Sequence, residues 1–145
     1  GGKRELYVEV MRRSFAQKQR GLRKEITAAG SYWRSRLEAA AEWLLSQTLY
    51  DYRRMVRSDL PEIAKEDAER LAHELYAALH EPIEEIFILG KEQESLQLPS
   101  RGMMSGSFIA IMDGIQTIPD QALPAPRVDL ARTMITVLIE GIRPR

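Results

Sequence analysis

Four small residues, Gly102, Gly106, Ala110 and Gly114, stand at intervals of four in a stretch otherwise rich in Met, Ile and Phe. That interval places them on successive turns of one helix face. Glycine in a helix interior costs roughly 0.5–1 kcal/mol relative to alanine, so three in one helix require a compensating contact. A stripe without side chains lets a neighbouring helix approach closely, ridge into groove. Met103, Met104, Phe108, Ile111, Met112 and Ile115 flank the stripe and supply apolar surface. The approaching helix can belong to the same subunit or to a second copy, and the pattern leaves both open.

The rest of the chain follows the same helical period. Leu6, Val10, Phe15, Leu22 and Ile26 predict a helix over 3–27, with Gly21 as a weak point where it can bend or fray. Ala28-Ala29-Gly30 interrupts, and Ser31 reads as the N-cap of a second helix over 32–57. Trp33, Leu37, Ala40, Ala41, Leu44, Leu45, Thr48 and Tyr52 give that helix its apolar face. Ser58-Asp59-Leu60-Pro61 ends it. A third helix reaches about 80, where Pro82 either kinks it or starts a separate helix to about 93. Helices over 100–117 and 127–142 follow, joined by the proline-rich linker 118–126. The expectation is an all-α bundle of five to six helices.

With 145 residues, the chain suits a single domain, 1–145, with a real core. It has no cysteine, which removes disulfides, thiolate metal sites and a cysteine nucleophile. Neither a membrane span nor the apolar core of a signal peptide is legible, and a cytoplasmic protein without membrane partners is the expectation. Charge is segregated: residues 1–57 hold 13 Lys and Arg against 6 Asp and Glu, while residues 58–98 hold 3 against 11. One end could face nucleic acid, or long helices could simply carry solvated charge on different stretches.

The last helix is apolar over more than one face, through Val128, Ala131, Ile135, Leu138, Ile139 and Ile142. Two such helices meeting two from a second copy make a four-helix bundle about a twofold axis. Ile111-Met112-Asp113-Gly114-Ile115 and the run Met134 to Arg143, ending Gly141-Ile142-Arg143, resemble the final two helices of TetR-family transcriptional regulators. Pro82 to Gly90 resembles a ligand-domain segment of that family, and Gly1 to Tyr7 the start of its linking helix, with Lys3, Leu6 and Tyr7 matching. The resemblance implies the C-terminal ligand-binding and dimerisation domain of such a regulator. Residues 1–20 would then be the linking helix from a helix-turn-helix DNA-binding domain missing from this chain. It implies a homodimer joined through Gly102, Gly106, Phe108, Ala110, Gly114, Ile135, Leu138 and Ile139. It also implies an effector cavity among the linking helix and those after it, and DNA contact only through the missing domain. Lys3, at a helix N-terminus, would meet a DNA phosphate, or else is an ordinary exposed lysine.

The residues themselves offer no catalytic constellation and no nucleophile elbow, so an enzyme is not expected. His73 and His80, with Glu69 and Glu84, are the one metal-like grouping considered. The histidines lie about 10 Å apart along a helix, and the Glu-x-x-His spacing of di-iron bundles is missing, so neither metal nor cofactor is expected. Tyr32, Trp33, Trp43, Tyr50 and Tyr52 crowd the second helix and can line a pocket or fill the core. Trp33, Leu37, Trp43, Tyr76 and Phe87 are the candidate contacts to a small, largely apolar effector, with His73 as polar partner. Met55, Leu79, Met104 and Phe108 could complete the lining. A stand-alone helical carrier or interaction domain, and a helical metalloenzyme, are the rival readings.

Overall fold

The computed structural model describes residues 2–47, 65–100 and 102–144, and among them every regular element is helical. The helices are α1 (Gly2–Ala28), α2 (Trp33–Ser46), α3 (Lys65–Glu94), α4 (Met103–Thr117) and α5 (Arg127–Ile142). A single 3-10 turn, Asp120–Ala122, lies in the proline-rich linker. The expected end of the second helix, with Tyr50, Tyr52 and Met55, falls outside the described residues, as do the stop at 58–61, Gly1 and Arg101. No described helix is long and apolar enough to cross a membrane.

Two sequence ambiguities resolve toward continuity. Gly21 does not break α1, which runs 27 residues; the indole of Trp43 lies over the glycine, with Nε1 3.3 Å from where a Cβ would sit. Pro82 sits buried inside α3, a single helix of 30 residues. Its ring adds to the apolar face and offsets the hydrogen bond that its missing N–H removes.

Ser31 does not cap α2. The helix begins at Trp33, and its free N–H groups find a partner from another helix. Gln93 of α3 accepts from Trp33 N–H through Oε1 at 2.9 Å, while its Nε2 donates to the Ser31 carbonyl at 2.7 Å. A long amide thus replaces the local cap, closing the α1–α2 turn against the end of α3. Gly30 makes that turn possible with φ +96°, a conformation glycine adopts without steric cost.

The main core gathers Trp33, Leu37 and Leu44 of α2, Ile83, Ile86 and Phe87 of α3, Phe108 and Met112 of α4, and Ile135 and Ile139 of α5. Leu22 and Ile26 join it from the last turns of α1. Gly90 is required here: a Cβ would fall 2.7 Å from Trp33 Cδ2 and 2.8 Å from Leu96 Cδ1. The other halves of α1 and α3 form a two-helix arm around a small cluster of Phe15, Leu71 and Ala78. Ion pairs Arg4–Asp67, Arg12–Glu74 and Arg23–Glu85 advance together along both helices, so α1 and α3 run parallel.

Candidate functional site

The aromatic residues expected around an effector are divided by the structure. Trp33, Leu37 and Phe87 are fully buried and packed into the core, with Trp33 and Phe87 centroids 6.5 Å apart and Phe87 edge-on to Phe108 at 6.3 Å. They fill space rather than line an opening. Trp43 is half-buried over Gly21, and His73 is exposed on α3, so His73 is not a polar partner inside. Tyr76 alone of the six borders a cleft.

That cleft has a volume of about 380 Å³, within the range of small-molecule sites. Tyr76, His80, Glu81, Glu84, Glu85 and Ile88 of α3 form one wall, and Gly102 and Ser105 at the start of α4 form the other. Tyr76, His80 and Glu84 recur every four residues and therefore share a helix face. The Tyr76 and His80 rings stack at 3.6 Å with 16° between planes. Two glycines stand opposite the pair at a distance where an added Cβ would make ordinary contact. A Cβ on Gly102 would lie 3.5 Å from Tyr76 Oη, and one on Gly106 would lie 3.5 Å from His80 Cε1.

Glu84 joins the two walls. Its Oε1 accepts the Gly102 N–H at 3.3 Å, and its Oε2 lies 2.9 Å from the hydroxyl of the fully buried Ser105. A carboxylate at a helix N-terminus satisfies a free N–H and complements the helix dipole. Gly102, with φ +84°, turns the chain so that this N–H points at Glu84. Burial holds His80 below its usual value of 6.5, against an opposing pull from Glu84. Its Nδ1 is buried without a hydrogen-bond partner. Glu85 faces the cleft and also takes both Nη atoms of Arg23 on α1, at 2.7 and 3.2 Å.

The small-residue stripe splits between two roles. Gly102 and Gly106 admit the Tyr76–His80 stack within the subunit, whereas Ala110 and Gly114 are exposed, and a Cβ on Gly114 meets nothing within 4 Å. Met103 on α4 and Val137 on α5 are also more than half exposed, and Leu138 is half-buried. Phe108, Ile135 and Ile139 are completely covered by their own chain and have no surface left for a partner. Those three belong to the subunit core. Lys3 is exposed in the first turn of α1.

Sequence reasoning passes over Glu81, Glu85 and Ser105 as site residues, and weighs His80 and Glu84 only as metal ligands. The available signal is the Tyr-x-x-x-His-x-x-x-Glu ladder, all three residues of which bear groups that stack or bond. Its partner wall begins 18 positions beyond Glu84 and gives no local sign. Among the described residues, no group of three or more His, Asp or Glu is placed to hold a metal ion. No protein-family model matches the chain, and neither the curated proteins nor the solved structures compared with it give a match.

Proposed function

We propose that this chain is the effector-binding and dimerisation part of a TetR-like transcriptional repressor, with the α3–α4 cleft as its sensor site. The observation that carries this reading is Glu85, which borders the cleft and forks onto Arg23 of the linking helix. A ligand drawing on Glu85 would loosen the hold of α3 on α1. Farther along the same two helices, Arg12–Glu74 and Arg4–Asp67 continue the connection toward Lys3. In an intact regulator, α1 would set the spacing of two DNA-reading units in successive major grooves. An effector that prefers the non-binding spacing then lowers DNA affinity, and DNA lowers effector affinity by the same factor.

Dimerisation is supported by the uncovered half of the stripe. Glycine at an exposed helix interior costs stability with no return inside the subunit, and a close-packed second copy offsets that cost. Ala110 and Gly114 on α4, with Val137 and Gly141 on α5, would lie at this contact. Sedimentation equilibrium tests it: the wild-type chain is expected to be a dimer, and Gly114→Leu is expected to shift it toward monomer. A wild-type monomer, or a Gly114→Leu chain as dimeric as wild type, overturns this interface. The DNA role is tested by translating the gene segment ahead of Gly1, where a helix-turn-helix is expected; an unrelated segment favours a stand-alone ligand carrier.

A further inference from the structure

We infer that the α3–α4 cleft selects an organic cation, with an aromatic body and a positively charged head, rather than a neutral apolar molecule. The inference rests on the sensor reading of this cleft and names the class of its ligand. Three carboxylates line the cleft, Glu81, Glu84 and Glu85, and no Lys or Arg lines it. Burial disfavours the charged form of His80 and so limits what the ring offsets of their charge. Glu84 is engaged by Gly102 and Ser105, and Glu85 by Arg23, whereas Glu81 is exposed, within electrostatic reach of Arg23, and forms no direct ion pair among the described residues.

The aromatic wall favours the same ligand. Tyr76 is 51% exposed although one face of its ring is covered by His80, so the remaining exposure leaves ring surface open to a ligand. A cation over a tyrosine face is attracted by the ring quadrupole, more strongly as water is excluded. Ile88 adds an apolar side chain for the ligand body. An anionic ligand is disfavoured: the α4 N-terminus already holds the Glu84 carboxylate, and the Arg23 guanidinium is taken by Glu85.

The experiment follows the aromatic resonances of Tyr76 and His80 by NMR while the chain is titrated to millimolar levels. The probes are benzyltrimethylammonium, benzamidinium and benzamide, the last an uncharged isostere of the second. Both cations are expected to shift these resonances, with the isostere about tenfold weaker. Glu81→Gln and Tyr76→Leu are each expected to weaken cation binding by roughly two- to fivefold. A bound cation should also push the titration of His80 further below its free position than the uncharged isostere does, because both bury the ring and only the cation adds repulsion. Equal binding of the isostere overturns charge selection and leaves a ligand site for the sensor reading. No shift at Tyr76 or His80 from any probe overturns the cation site, and the sedimentation result then judges the dimer separately.

Discussion

The body of the bundle and its arm are built from the same kind of helix but held by different forces. In the body, five helices surround Trp33, Leu37, Phe87, Phe108 and Ile135, none more than 1% exposed. In the arm, two helices share Phe15, Leu71 and Ala78 with the half-buried Tyr7, Val8, Met11, Ala68 and Leu75 against them, and ion pairs flank this thinner cluster on the surface. Burial of apolar side chains is strong, local and insensitive to salt. Half-exposed ion pairs are weak singly and screened. The difference puts stability in the part that carries the cleft and leaves the part leading toward Lys3 easier to shift.

Removing one buried side chain from each region gives the largest contrast. Leu37→Ala, in the body, is expected to cost about 4 kcal/mol and Leu71→Ala, in the arm, about 2 kcal/mol, since a thin cluster collapses around a lost leucine more readily. Denaturant unfolding of both variants measures it, and equal costs would break the distinction. Gly90→Ala comes next, at about 1–3 kcal/mol, because overpacking against the Trp33 ring outweighs the roughly 1 kcal/mol that alanine gains in a helix. An unchanged melting midpoint would mean that Trp33 has freedom its full burial denies. The smallest effect sharpens the account of the arm. Raising salt to about 1 M should lower protection of α1 residues 4–14 in hydrogen exchange by up to fivefold, through screening of pairs worth about 0–1 kcal/mol each. Protection in α2 should stay constant. Arg12→Ala should reproduce part of the loss at low salt and remove part of the salt response.

How much of this was legible in the sequence depends on the range of the interaction. The limits of α1, α4 and α5 follow from three- and four-residue spacing, because the period of a helix is a local property. Pro82 reads locally as a break, and the surrounding burial of α3 overrides it. Ser31 reads locally as a cap, and Gln93, sixty residues on from Trp33, takes the role. The aromatic residues show the same limit. Composition marks Trp33, Phe87 and Tyr76 alike, and only their neighbours separate two core residues from one that borders a cleft.

The stripe from Gly102 to Gly114 divides along the same line. Sequence alone determined that α4 is a helix with one narrow face able to accept a close neighbour, because four-residue spacing and missing side chains are fixed by covalent structure. Tertiary structure decided what the face accepts. Its first half meets Tyr76 and His80, brought opposite where the chain packs back on α3 after Glu94, and its second half stays open. The cleft exists for the same reason: the carboxylates of α3 and the N-terminus of α4 become one site only when two distant segments pack.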